Sequence, residues 1–180
     1  MEDFSELINQ STASIEKEDL HVLLPEVARI EPKIILETGT WKGRSADLFQ
    51  KAFHPELLIT MDSSPRFEDT VDPQMLNHFL MYETDSHSED AFNRVGGLLG
   101  GRPVDFLFID GDHSYEGVKK DWDMYKPLVR EGGIIALHDV LYHADKTEEV
   151  DVFWQEIKWN HTHKEIMVGE RSTGIGVIYL

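Results

Sequence analysis

Short apolar runs that each stop at a polar tip, with amphipathic stretches between them, restrict this chain more than any other feature. Ile34-Ile35-Leu36 is followed by Glu37, Leu57 to Met61 by Asp62, Phe79 to Glu83 by Asp85, Val104 to Ile109 by Asp110, and Ile134 to Leu137 by His138-Asp139. Brief, mostly apolar runs of this kind read as strands buried on both faces. Leu20, Leu23, Leu24, Val27 and Ala28 recur at helical spacing ahead of Pro32. Ala46, Leu48, Phe49, Ala52 and Phe53 make a second helix, and Val118, Trp122, Tyr125 and Leu128 a third, which Gly132-Gly133 is expected to close.

Strands alternating with helices predict an α/β fold with a mostly parallel sheet, because parallel strands need crossovers that cover both faces. Such sheets bind ligands beyond the carboxyl ends of their strands, near the point where strand order reverses, and the polar tips all fall there. The tail departs from the pattern. Val150, Phe153, Trp154 and Ile157 predict a helix, then Ile166 to Val168 and Ile175 to Leu180 predict an antiparallel hairpin at one sheet edge. No repeat or linker divides the 180 residues, so one domain is expected, with residues 1–32 as an N-terminal helical segment and 33–180 as its core.

Charge narrows the partners. With 34 acidic against 17 basic side chains and a net charge of -17, the surface field repels phosphate backbones and anionic lipid, so neither nucleic acid nor membrane is expected. The absence of cysteine removes thiolate metal sites and thiol nucleophiles. Met1-Glu2-Asp3-Phe4 lacks the basic-then-apolar order of a signal peptide, and no apolar run is long enough to span a bilayer; a cytoplasmic location is the expectation.

Glu37-Thr38-Gly39-Thr40-Trp41-Lys42-Gly43 lies between a strand and a helix, where glycine permits a sharp turn and close backbone approach to a ligand. Trp41 stands where the dinucleotide fingerprint needs another glycine, which disfavours a pyrophosphate and hence a nicotinamide cofactor. An adenosine ligand without phosphates fits better, with Asp62 accepting from both ribose hydroxyls. A bare steric role for the glycines is the competing explanation.

These residues, with Gly43-Arg44-Ser45, Asp85-Ser86, Phe108-Ile109-Asp110-Gly111-Asp112-His113-Ser114-Tyr115-Glu116-Gly117-Val118 and His138-Asp139-Val140, resemble the class I S-adenosylmethionine-dependent methyltransferases. The resemblance is to the small group whose fourth strand ends in Asp-Gly-Asp-His, similar to methyltransferase family 24 and to the catechol-type and antibiotic-tailoring O-methyltransferases. It implies a Rossmann-like sheet of seven strands with a reversed last strand. It also implies S-adenosylmethionine as cofactor: Glu37, Gly39 and Gly43 around the methionine portion, Asp62 on the ribose, Asp85 and Ser86 at the adenine, and Asp110 beside the sulfonium, with Thr40, Ser45 and Ser63 as further cofactor-binding residues.

Asp110, Asp112, His113, His138 and Asp139 come from neighbouring strand ends and should converge. Carboxylates crowded in one cleft call for a compensating cation, and oxygen-rich ligands suit Mg²⁺ or another hard divalent ion. The resemblance implies Asp110, His138 and Asp139 as its ligands, although acidic residues are more usual at the position of His138. His113 stands where catechol-type relatives carry a lysine and is expected, with Asp110, to form the catalytic pair, as base toward a hydroxyl. His138 and Asp139 bonded only to loop amides, and His113 as an ordinary helix-start residue, are the competing structural explanations. His143, His161 and His163 are assigned no role.

The expected activity is O-methylation of a small molecule or sugar hydroxyl. A metal-dependent hydrolase, turning over without S-adenosylmethionine, and an inactive S-adenosylmethionine-binding module are the alternatives. Phe67, Met75, Leu76 and Phe79 have three available roles: a lid over the acceptor, a homodimer contact, or a core-facing helix.

Overall fold

The computed structural model describes residues 3–64, 79–81, 84–141 and 149–180. Seven strands form one sheet: β1 (Ile34–Thr38), β2 (Leu57–Met61), β3 (Phe79–Met81), β4 (Val104–Ile109), β5 (Val129–His138), β6 (Thr162–Ile166) and β7 (Ile175–Tyr179). Their order is β3-β2-β1-β4-β5-β7-β6. β1 to β5 pair in parallel, while β7 runs antiparallel to both β5 and β6, so the last strand is the reversed one, as expected.

Helices cover both faces. Strand periodicity sorts the apolar residues, with Leu36, Ile59, Leu107 and Ile135 facing one layer and Ile35, Leu58, Phe106 and Ala136 the other. The first layer is built by α4 (Glu89–Leu99), α5 (Tyr115–Tyr125) and α6 (Val150–Ile157) through Val95, Trp122 and Trp154. The second comes from α1 (Ser5–Gln10), α2 (Lys17–Ala28) and α3 (Arg44–Phe53), through Ile8, Leu24 and Phe49. The Phe49 ring meets Phe106 and Phe108 edge-on at 5.3 and 5.2 Å, the geometry aromatic quadrupoles favour.

The termini are fastened to this frame by buried charge. Asp19 on α2 accepts from the Val168 and Gly169 amides at 2.7 and 3.2 Å and from the Ser172 hydroxyl, fixing the β6–β7 turn. Glu165 on β6 accepts from Trp154 Nε1 at 2.6 Å and from the buried Lys158 ammonium at 2.8 Å, tying the edge strand to α6.

Two expectations are corrected. Gly132-Gly133 do not close the third helix, which ends at Tyr125 and tightens into a 3-10 turn over Lys126–Leu128. The two glycines lie inside β5, where pairing passes from Val104–Val129 to Phe106–Ile134 and the surplus residues bulge, with Gly132 at φ 73°. The first hairpin strand is Thr162–Ile166 rather than Ile166–Val168, and Met167 and Val168 are exposed in the turn; the antiparallel hairpin does form one sheet edge, with β6 outermost and β7 paired to β5. Phe67, Met75, Leu76, Glu83 and His143 lie outside the described residues, and of Phe79 only the backbone is described.

The reversal of strand order falls between β1 and β4, and there the chain is at its tightest. Asp110 N–H donates to the Thr38 carbonyl at 2.9 Å, and Gly39, at φ 91°, lies flat against the Asp110 carbonyl. A Cβ on Gly39 would sit 1.9 Å from that oxygen. Gly39→Ala is therefore expected to cost at least about 2 kcal/mol, from overpacking plus a left-handed φ. Urea unfolding measures it, and an unchanged midpoint and slope would contradict this close approach.

Candidate active site

A cavity of about 940 Å³ opens over the carboxyl ends of β1, β2, β4 and β5. Gly39, Thr40, Ser45, Asp62, Ser63, Asp85, Ser86, Asp110, His113, His138 and Asp139 all line it, so most of the sequence-derived candidates share one space. Strand order spreads them along the sheet, with Asp85 and Asp62 on the β2–β3 side of β1 and Asp110, His138 and Asp139 on the β4–β5 side.

Glu37 and Gly43 stand behind the wall. Glu37 is fully buried; the Thr60 hydroxyl donates to its Oε2, while Oε1 has no hydrogen-bond partner among the described residues. Thr60 in turn meets Thr40 Oγ1 at 2.5 Å, so the carboxyl is linked to the turn above it. Burial pushes Glu37 up to about 7, against the opposing pull of the Thr60 and Ser45 hydroxyls. Gly43, at φ 76°, is the left-handed residue from which α3 starts, and its N–H donates to the Thr40 carbonyl at 2.7 Å. Its role in this structure is to shape the turn.

Asp62 shapes the same turn from the other side. Its Oδ2 accepts from the Trp41 amide at 2.7 Å and its Oδ1 from the Ser64 amide at 2.6 Å. Trp41, left-handed at φ 40° and half exposed, stacks under the Lys42 ammonium at 4.6 Å on the cavity rim. Each Asp62 oxygen keeps a second lone pair for a ligand hydroxyl. Asp85 accepts from the His87 amide at 2.9 Å, and the Ser86 carbonyl accepts from the Tyr125 hydroxyl at 2.6 Å.

The polar tips of β4 and β5 form a knot of four side chains. His138 Nδ1 lies 3.1 Å from Asp110 Oδ1 and 3.4 Å from Asp139 Oδ2, and its Nε2 meets Thr173 Oγ1 at 3.2 Å. His113 bridges the same carboxylates, Nε2 to Asp110 Oδ1 at 3.4 Å and Nδ1 to Asp139 Oδ2 at 3.3 Å. Burial disfavours charge on His138, yet Asp110 and Asp139 outweigh it and push the imidazole up to about 10. Burial likewise raises both carboxyls; His138 and His113 outweigh it, leaving Asp110 below its ordinary value and Asp139 well below the carboxylate range. A compensating positive charge for the crowded carboxylates is thus present in the chain itself.

Asp110, His113 and Asp139 each offer a ligand atom within 4.8 Å of the others. The expected metal ligands Asp110 and Asp139 are in that group, and its imidazole is His113 rather than His138. Sequence reasoning passed over the walls that complete the cavity: Ser14, Ile15 and Glu16 before α2, and Arg171 and Thr173 in the β6–β7 turn. Arg171 Nη2 reaches Glu16 Oε1 at 3.6 Å across the rim. The readable signal was Asp19, a carboxylate on the apolar stripe of α2, which needs partners from elsewhere in the fold.

A family model described as a methyltransferase domain matches residues 36–140, the stretch from β1 through the His138-Asp139 tip. The chain belongs to that family. It is a class I S-adenosylmethionine-dependent methyltransferase. An uncharacterized protein of Acanthamoeba polyphaga mimivirus is 27% identical over 161 residues, 77% of this chain and 71% of its own. The O-methyltransferase TomG of Streptomyces achromogenes, involved in tomaymycin synthesis and solved with S-adenosylmethionine, is 17% identical with a TM-score of 0.69, over 100% of this chain and 91% of TomG. MycE, a methyltransferase of the mycinamycin pathway solved with Mg, S-adenosylhomocysteine and mycinamycin VI, is 17% identical with a TM-score of 0.64, over 98% of this chain and 54% of MycE. At these identities the solved structures share the fold. Among the described residues of the methyltransferase, no helix is long and apolar enough to cross a membrane.

The buried Glu37 carboxyl gives this methyltransferase a pH-dependent weakness. Its folded-state value, about 7, lies above the ordinary 4.5, so between these limits the folded protein holds a proton that the unfolded chain releases. Stability falls as pH rises through that window. Glu37→Gln abolishes this term, and its stability relative to wild type should be about 1 to 3 kcal/mol greater at pH 8 than at pH 4. Urea unfolding at the two pH values tests this; a difference independent of pH would contradict it.

Proposed function

We propose that the methyltransferase transfers the methyl group of S-adenosylmethionine to a hydroxyl of a small molecule or sugar. The observation that carries this reading is the convergence of Asp110, His113, His138 and Asp139 in the same cavity as Asp62 and Asp85. The fit to the cofactor rests on the volume of that cavity, on the lone pairs of Asp62, and on the buried Glu37 Oε1 without a partner. Bound there, S-adenosylmethionine supplies a methyl carbon already activated by its sulfonium.

The chain's own residues do the rest. Asp62 accepts hydrogen bonds from the ribose hydroxyls, Asp85 and Ser86 bind the base, and Asp110 brings negative charge to the cationic methionine portion, with the buried Glu37 carboxyl behind the turn that holds it. Holding donor and acceptor in line can contribute up to roughly 7 to 11 kcal/mol. His113, partly exposed between two carboxylates, takes the acceptor proton at a ring nitrogen, and Asp110 and Asp139 stabilise the imidazolium that results. Ile15, Trp41 and Arg171 line the mouth and favour a small acceptor.

The grouping of Asp110, His113 and Asp139 supports a second reading of the acceptor end. Those three would hold Mg²⁺ or a similar ion, with His138 orienting the two carboxylates from behind. The ion would supply Lewis acidity to the acceptor hydroxyl, with His113 serving as ligand instead of base.

Calorimetric titration with S-adenosylmethionine should give saturable binding, about tenfold or more weaker in Asp62→Ala. Equal affinity in the variant would contradict the ribose assignment. Against a panel of small-molecule and sugar hydroxyls, His113→Ala should keep cofactor affinity and lose turnover. Turnover that survives chelator supports His113 as base, and turnover lost with chelator and restored by Mg²⁺ supports it as ligand.

A further inference from the structure

Two groups that the mechanism above does not use stand at the Asp85-Ser86 end of the cavity, His87 in its wall and Asp121 behind it. Asp121, on α5, is fully buried, and neither of its oxygens accepts a hydrogen bond among the described residues. It is faced by His87, whose Nε2 lies 3.3 Å from Asp121 Oδ1. A carboxylate removed from water this completely is strongly destabilising unless a positive charge faces it. His87 provides that charge, and the Asp121 carboxylate raises the basicity of the imidazole against the effect of burial. Other charged groups act on the same ring: Asp85 from its own loop, Asp112 from the β4 tip, and Lys120 of α5, the last opposing protonation.

The arrangement is held from three directions. One turn beyond Asp121, Tyr125 donates to the Ser86 carbonyl at 2.6 Å, so α5 holds the residue before His87 as well as facing His87 itself. Gly111, at the β4 tip, is small enough to admit Asp121; a Cβ there would meet Asp121 Oδ2 at 3.1 Å. His87 itself lines the cavity beside Asp85, its Nδ1 3.9 Å from Asp85 Oδ1. With Nε2 on the Asp121 side at 3.3 Å, Nδ1 is the ring nitrogen on the Asp85 side.

We infer that His87, set in place by Asp121, is the hydrogen-bond donor that recognises the adenine ring, paired with the Asp85 carboxylate as acceptor. Adenine presents a complementary pattern on either side of its amino group, where the N6 donor adjoins a ring-nitrogen acceptor, N1 or N7. Asp85 takes the N6 hydrogen and His87 Nδ1–H donates to the neighbouring ring nitrogen. His87 is then a binding residue and Asp121 a positioning residue. The inference rests on the reading that this cavity binds S-adenosylmethionine.

The test is calorimetric affinity for S-adenosylhomocysteine and for its 1-deaza and 7-deaza analogues, each lacking one of the two ring nitrogens. Wild type should lose about tenfold or more for one analogue and not the other, and His87→Ala should lose a similar factor for the parent ligand. In His87→Ala the sensitivity to that analogue should disappear, and in Asp121→Asn it should shrink. His87→Asn, which keeps a neutral donor, should recover part of the affinity. Wild-type affinity indifferent to both deletions, or an analogue preference that survives in His87→Ala, overturns the inference while leaving the cofactor site intact. Failure of wild type to bind the parent ligand overturns the reading of the cavity and the inference with it.

Discussion

Gly39 lying against the Asp110 carbonyl sets the geometry on which the rest of the site depends. The contact draws the end of β1 onto the end of β4 at the reversal of strand order, and the Asp110 amide seals it on the Thr38 carbonyl. On one side the chain must then turn sharply, through left-handed Trp41 and Gly43, into α3. On the other, Asp110 is delivered to the cavity between Asp62 and the His138-Asp139 tip. The glycine that suggested ligand approach is thus required first by the neighbouring strand; the ligand site is what that packing leaves open.

Charge organises the space so formed. The cavity walls carry several carboxylates, and three elements keep them from mutual repulsion. His138 bridges Asp110 and Asp139, His87 faces Asp121, and burial pushes the Glu37 carboxyl up to about 7. Each carboxylate is therefore preorganised to a different degree, so the cavity presents acceptors of different character at separate points. The net charge of -17 acts outside this arrangement, as a solvating surface field.

Legibility in the sequence followed burial. β2 and β4 fall within the limits their apolar runs suggest, because strands buried on both faces leave continuous hydrophobic segments. α4 was not foreseen: Gly96-Gly97 in its last turns and a narrow stripe of Ala91, Val95 and Leu99 hide the helical period. β6 reads Thr-His-Lys-Glu-Ile, polar as an exposed edge strand should be, so its pattern gave way to the exposed Met167-Val168 beyond it. Of the candidate site, the carboxylate tips and His113 were readable because strand ends converge by topology. His87 and Asp121 were not, although Asp121 stands beside Trp122 on the buried face of α5, where a charge demands a partner. That partner comes from another segment, and no local period announces it.

The central claim is that one adenosine-bearing cofactor lies along the strand ends from Asp85 to Asp110. A crystal structure of the protein with S-adenosylhomocysteine tests it most directly. The account predicts the base beside Asp85 and His87, the ribose hydroxyls on Asp62, and the thioether sulfur at the Asp110 end, facing His113. A ligand bound elsewhere, or in this cavity with its ribose away from Asp62, would contradict it.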